Sequence, residues 1–300
     1  MNLRTTPVRR PRARRSLALA AAVVAAAICA ATPAAAQKWA DPGKVLRVTF
    51  PIAETGFDPQ ATSDLYSGHV QRAIFEPLYT YDYLARPYRL VPNTASALPE
   101  ISPDGRTWTI RIKPGIHFAD DPAFKGRKRE LTAHDYVYAW KRLLDPRVRS
   151  PYLWYLNGKL AGAEPVLAKA KADGRLDYDA GIPGLKAIDR YTIRLELVEP
   201  DYVLQGYLTQ VAMAAVAREV VESYGDASGW VMTNPVGTGP YRLKEWRRGQ
   251  RIVLEANPGY REETFPEAPA NADAAIRAVA AAMKGKRLPQ IGRVEISVIE

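Results

Sequence analysis

The sequence predicts a mixed fold of the α/β or α+β class. Three observations carry this. Segments with the two-residue period of half-buried strands recur at 44–52, 107–113 and 294–298. Segments with helical spacing stand between them, at 64–75 and 132–145. The two kinds mix throughout, and no internal repeat is present.

The first strand, 44–52, places Leu46, Val48 and Phe50 on one face, and Pro51 with Gly56-Phe57-Asp58-Pro59 turns it into a loop. Over 64–75 the period becomes helical, with Leu65, Val70, Ala73 and Ile74 as core positions, and Pro77 stops the helix. Proline and asparagine break 86–99 into loop with short extended pieces. Ser102-Pro103-Asp104-Gly105 is a turn, because Pro presets φ and Gly admits positive φ. Behind it Trp108, Ile110 and Ile112 alternate with polar residues in a strand. Thr132 followed by Asp135 reads as a capping box. It opens a helix through Tyr136, Val137, Trp140, Leu143 and Leu144 that ends before Pro146. A strand is expected at 189–197, two short helices within 201–224, and paired strands at 241–246 and 251–256 around Gly249. The Ala-rich stretch 267–284 is a helix or a low-complexity insertion, and Val294, Ile296 and Val298 alternate in a last strand.

Charge and cysteine must be read after the N-terminus. Six arginines lie within 4–15, an uncharged run covers 17–31, and small residues precede a cut after Ala36. This is the pattern of a secretory signal peptide, residues 1–36. The run of 15 is short of the ~20 a membrane-spanning helix needs, which disfavours the competing reading as an uncleaved anchor. The formal charge of +10 then falls to about +4, with 36 Lys plus Arg against 32 acids. The one cysteine, Cys29, leaves with the signal. The expected product is exported, soluble and free of disulfides. A charge this small also argues against a nucleic-acid partner.

Signatures of chemistry are missing. No Gly-x-Ser-x-Gly, Walker loop or Gly-x-Gly-x-x-Gly is present, and Pro240 removes a backbone donor from the glycine-rich Gly237-Thr238-Gly239. His117 with Asp120 and Asp121 is conceivable as a metal group, but a solvated acidic turn explains it more simply. No catalytic residue, metal ligand or cofactor is assigned. Tyrosine and tryptophan are abundant, 16 and 6, and Tyr152-Leu153-Trp154-Tyr155 suits either packing or a cleft for a varied ligand.

Four segments in order resemble the extracytoplasmic solute-binding proteins of ABC transporters, family 5, which includes oligopeptide, dipeptide and nickel binders. They are 97–118, closing on Lys113-Pro114-Gly115-Ile116-His117-Phe118; Leu131-Thr132-Ala133-His134-Asp135-Tyr136 with Arg142; 234–241; and Asn257-Pro258-Gly259-Tyr260. The resemblance implies a periplasmic-binding-protein-like (type II), two-lobed α/β clamp. Residues 37–300 would hold its first lobe, with 66–198 a smaller subdomain and the second lobe missing. It implies capture of a peptide-like solute and delivery to permease subunits in the inner membrane, by a monomer and without catalysis. Glutathione, an opine, haem or a nickel chelate are alternative solutes, and a secreted hydrolase is an alternative of another class. By the same resemblance Ala53, Glu54 and Thr55, Tyr152, Trp154 and Tyr155, and Thr238 face the ligand. A further expectation is that residues 37–300 by themselves do not bind peptide tightly.

Overall fold

The structure, a computed structural model, describes residues 40–299. They belong to the larger of two units into which the chain divides, Trp39–Glu300. The expected signal peptide, 1–36, lies outside the described residues.

Two four-stranded sheets organise the unit. The first runs in the order β1 (Asp41–Phe50), β10 (Ile291–Val298), β9 (Arg251–Ala256), β8 (Tyr241–Arg247). β1 lies parallel to β10, with Val48 opposite Ile296, and the β10–β9 and β9–β8 pairs are antiparallel. A parallel pair cannot be closed by a tight turn, so the chain between β1 and β10 is one long crossover. The second sheet lies inside that crossover and is antiparallel throughout. Its order is β4 (Glu100–Ile101), β5 (Thr107–Arg111), β7 (Thr192–Glu196), β6 (Leu185–Asp189). A short ribbon, β2 (Tyr79–Tyr81) with β3 (Leu90–Pro92), stands apart from both.

The best-patterned elements form as their sequences direct. In β5 Trp108 and Ile110 are buried, as is Ile112 just beyond it, while Arg111 faces solvent. Gly105 takes φ +72° in the turn before it, and its N–H donates to Ser102 O at 2.8 Å. Helix α2 (Ala133–Leu144) begins at Thr132, whose N–H and hydroxyl donate to Asp135 Oδ2 at 2.7 and 2.8 Å. It packs across β6 and β7. Its Tyr136, Trp140 and Leu143 join β5 and β7 in one apolar cluster, and Trp140 Nε1 donates to Met213 O at 2.9 Å. That bond lets the largest side chain be buried without an orphan donor. The β8–β9 hairpin turns at Gly249, φ +66°.

Other expectations need correction. Leu46 and Leu65 are exposed, although both sit on the periodic face of their elements. Of the β1 face only Phe50 is buried, beside Tyr66 of helix α1 (Leu65–Ile74) at 4.8 Å between rings. The strand expected over 189–197 is β7, Thr192–Glu196; the first residues of that span form the turn from β6, where Asp189 Oδ1 accepts from Tyr191 N at 2.8 Å. Helix α3 (Glu164–Asp173), with Pro at its start and Gly174 (φ +69°) as its cap, has too weak an apolar stripe to be read from sequence. Within 201–224 the chain forms α4 (Leu204–Tyr207) and α5 (Arg218–Tyr224). The Ala-rich stretch contains helix α6 (Ala274–Met283), capped by Asp273, which accepts from Ile276 N at 2.8 Å.

Candidate ligand site

The residues expected to face a ligand fall into three environments. Glu54 is almost wholly buried, at 1% exposure. Its Oε1 accepts from the Trp246 indole N–H and from Gly249 N at 3.0 Å, so the loop after β1 is tied to the β8–β9 hairpin. Ala53 lies beside the same turn: a Cβ added at Gly249 would stand 3.7 Å from that of Ala53. Phe57 closes the contact with its ring 4.7 Å from Trp246. Glu54 Oε2 is buried without a hydrogen-bond partner.

Thr55 turns the other way, toward the start of α1. Its N–H donates to Ser67 Oγ at 3.0 Å and its hydroxyl donates to Asp64 Oδ2. Asp64 is the N-cap of α1, accepting from Ser67 N at 2.7 Å through Oδ1. Partial burial would raise the pKa of Asp64, but the bonds from Ser67 and Thr55 hold it below the usual carboxylate range. Asp64 therefore stays charged and is committed at both oxygens.

The aromatic segment forms a cluster rather than a row. Tyr155, 6% exposed, stacks on Tyr207 of α4 with centroids 4.6 Å apart and planes 8° from parallel. Trp154 stands nearly perpendicular to both, 4.5 Å from Tyr155 and 5.1 Å from Tyr207, and remains 55% exposed. Tyr152 completes the group at 5.4 Å from Tyr155. Lys159 Nζ sits 4.7 Å over the Tyr207 ring and pairs with Asp201 at 2.6 Å. Packing thus accounts for Tyr155, whereas more than half of Trp154 stays open to solvent. Sequence reasoning missed Tyr207, because no local spacing links it to a turn some fifty residues earlier.

Tyr152 and the α1 segment meet at a cavity of about 230 Å³. Asp64, His69 and Arg72 line one side of it, and Tyr152 and Gln210 the other. Through Asp64 this brings Thr55 and Tyr152 to one place. Glu54 is turned away to the β8–β9 hairpin.

Thr238 belongs to a third, buried environment. Its hydroxyl donates to Glu76 Oε2 at 2.9 Å, and Arg261 Nη1 reaches the same oxygen at 2.6 Å. Tyr260 OH donates to Glu76 Oε1 at 3.2 Å. Burial pushes the Glu76 pKa up against the pull of Arg261. The flanking glycines are required by packing. A Cβ on Gly237 or Gly239 would stand 2.1 or 2.6 Å from Ile74 O, at the end of α1. Gly239 N donates to that oxygen at 2.8 Å, and Gly237 O accepts from Ala119 N at 2.9 Å. The loop is a brace between α1 and β8.

The three groups considered for a metal go to separate partners. His117 Nδ1 lies 2.9 Å from Gly115 O, Asp120 pairs with Lys128 at 2.8 Å, and Asp121 accepts from Ala123 N and Tyr224 OH, each at 2.8 Å. Among the described residues no three His, Cys, Asp or Glu side chains converge on one point.

A family model described as "Bacterial extracellular solute-binding proteins, family 5 Middle" matches residues 89–300. The chain belongs to this family. Its relatives include the periplasmic oligopeptide-binding protein OppA of Salmonella typhimurium, 32% identical over 205 residues, or 68% of this chain and 34% of the relative. The dipeptide-binding protein of Lactococcus lactis is 26% identical over 228 residues, 74% of this chain and 38% of the relative. Among solved structures, Haemophilus influenzae OppA in complex with RPPGFSPFR superposes with a TM-score of 0.63 at 25% identity. That match covers 87% of this chain and 43% of the other. The α/β fold of this family 5 chain is accordingly that of part of a type II periplasmic peptide-binding protein. The chain spans about a third of the length of the curated relatives it matches.

Proposed function

We propose that this family 5 chain is the substrate-binding component of an ABC importer, or the part of one that these residues form. It takes a peptide-like solute in the periplasm and passes it to permease subunits in the inner membrane. The observation that carries the reading is the cavity at the start of α1. There a varied set of polar side chains and Tyr152, beside the exposed Trp154 ring, can accept an extended ligand without a shape-specific pocket. The relatives named as oligopeptide- and dipeptide-binding proteins support it. In the same reading residues 1–36 are a cleaved export signal, 37–300 are the family 5 region with 66–198 a smaller subdomain, and the mature protein is a monomer. The set Ala53, Glu54, Thr55, Tyr152, Trp154, Tyr155 and Thr238 divides. Thr55, Tyr152 and Trp154 serve the ligand directly, and Ala53, Glu54, Tyr155 and Thr238 hold the loops that carry them.

The test is thermal unfolding of the purified chain with a library of di- to pentapeptides. A ligand that binds only the folded state at 100 times its Kd adds about 2.7 kcal/mol, which is a readily measured rise in midpoint. Peptides that raise the midpoint in proportion to the logarithm of their concentration support the reading. If no peptide moves it at millimolar concentration, while one of the other small solutes does, the peptide assignment is wrong.

A further inference from the structure

The charges in the α1 cavity are unequally committed. Asp64 keeps its negative charge, and its Oδ1 and Oδ2 are bonded to Ser67 N and the Thr55 hydroxyl, which tie the carboxylate to the start of α1 and the loop before it. Arg72, in the last turn of α1, also lines the cavity, yet its guanidinium has no hydrogen bond or ion pair among the described residues. A guanidinium presents five N–H donors in a fork that fits a carboxylate with two parallel bonds. Around it stand Tyr152, close enough to feel the charges of both Arg72 and Asp64, and the Gln210 side chain, whose Nε2 is turned to Thr209 Oγ1 at 3.2 Å. His69 completes the wall, its ring 6.2 Å from Phe50 and 6.3 Å from Tyr66. The chemistry left unspent in this cavity is that of a cation and hydrogen-bond donors.

Resting on the solute-binding reading above, we infer that the cavity selects peptides by a carboxylate, which Arg72 grips in a bidentate pair beside Tyr152. The carboxylate is either an acidic side chain or the ligand's own C-terminus. A Lys at position 72 would keep the charge but not the fork. Arg72 is exposed, so its replacement leaves the core intact. In this role it is a specificity-determining residue and not a structural one.

The experiment is calorimetric titration of the full chain with four peptides: Ala-Glu-Ala, Ala-Gln-Ala, and each of these with an amidated C-terminus. If the side chain is read, both Glu peptides bind at least tenfold tighter than their Gln counterparts. If the terminus is read, both free acids bind at least tenfold tighter than the amides. In either case Arg72→Gln erases the preference without changing the affinity of the neutral amide, and Arg72→Lys restores part of it. Equal binding of all four peptides, unchanged in Arg72→Gln, overturns the inference and leaves the solute-binding reading standing. Failure of all four to bind at millimolar concentration overturns the inference, and the peptide library then decides the solute-binding reading separately.

Discussion

Arg142 and Asp58, 84 residues apart in sequence, form a bidentate ion pair sealed from solvent. Nη1 donates to Oδ1 at 3.0 Å and Nη2 to Oδ2 at 2.5 Å, and the two side chains are 1% and 0% exposed. Further bonds support the pair: Asp58 accepts from Gln60 N at 3.0 Å and Val231 N at 2.8 Å, and Arg142 Nη2 donates to Gly229 O at 2.8 Å, while Arg142 Nε is buried without a partner. One pair thus fastens the loop after β1, the end of α2 and the segment 229–231. Burying charge is tolerable only when both partners and their hydrogen bonds are present. Arg142→Met leaves Asp58 as an isolated buried carboxylate and should cost about 3–5 kcal/mol in urea unfolding at pH 7. Adding Asp58→Asn should recover part of that loss. A loss below about 1 kcal/mol for the single variant would show that the pair is not the fastening it is taken to be.

The Gly237-Thr238-Gly239 brace makes a second prediction. A methyl group on Gly237 meets a backbone oxygen, Ile74 O, and backbone cannot rotate away as a side chain can. Gly237→Ala should therefore destabilise by about 2–3 kcal/mol through overpacking. Gly126→Ala is the control for space alone, since nothing lies within 4 Å of a Cβ there, although its φ of +76° carries a strain of its own. Hydrogen exchange of the last turn of α1 should rise in Gly237→Ala before global unfolding. Unchanged protection there would separate the loop from the helix.

Acid stability should depend on Glu130. Its carboxylate accepts from Arg190 Nη2 at 2.6 Å, Gly115 N at 2.7 Å and Tyr191 OH at 2.8 Å, joining the segment after β5 to the β6–β7 turn. The Arg190 bond first, then those from Gly115 and Tyr191, lower its pKa to about 2 from 4.5. A carboxyl whose folded pKa is depressed stabilises above its unfolded pKa and loses that stabilisation as pH falls through the folded one. The relevant window is then about pH 4.5 down to about 2. Glu130 is one-fifth exposed, so solvent screening holds the effect to about 1 kcal/mol. Stability of Glu130→Gln plotted against pH should be flatter than the parent's by that amount in this window and parallel to it above pH 6. Parallel curves down to pH 2 would remove Glu130 from the acid response.

What could be read from the sequence was pattern, and what could not was cover. Trp108, Ile110 and Ile112 alternate, and all three are buried in the apolar cluster that β5 and β7 share with α2. Leu46, Val48 and Phe50 alternate as cleanly, yet only Phe50 is buried, beside Tyr66. Periodicity names the face of a strand and does not say whether another element reaches that far along it. The site shows the same division. Asp64 and Tyr152 are each visible in sequence, one as a helix start and the other in an aromatic run. Their meeting across a cavity depends on α1 and the turn at 153–155 being brought together by long-range packing. The family resemblance implies a ligand-facing place for Glu54 from the position of its loop after the first strand, and no sequence pattern shows that its bonds run to Trp246 and Gly249, almost two hundred residues away.

Trp154 and Tyr155 are adjacent and aromatic, and they should fail in opposite ways when truncated. Tyr155 is 6% exposed and stacked on Tyr207, so Tyr155→Ala removes a buried ring and its partner's contact. A large-to-small change of this kind costs about 3–5 kcal/mol for a fully buried aromatic, and the lower end applies where a surface cluster can relax. Trp154 is 55% exposed and meets Tyr155 and Tyr207 at steep interplanar angles, 72° and 80°. Trp154→Ala should cost under about 1 kcal/mol in stability, since little area leaves water in the fold. If the exposed ring covers a bound peptide, the same variant should weaken peptide binding by about tenfold or more, the range of an aromatic contact at an interface centre. Calorimetry with one peptide, set beside the unfolding midpoints of both variants, decides it. Tyr155→Ala should lose stability first and binding only in consequence, and Trp154→Ala should lose binding alone. Intact binding in Trp154→Ala would move the ligand away from this cluster and leave Trp154 as a solvent-facing ring with no part in recognition.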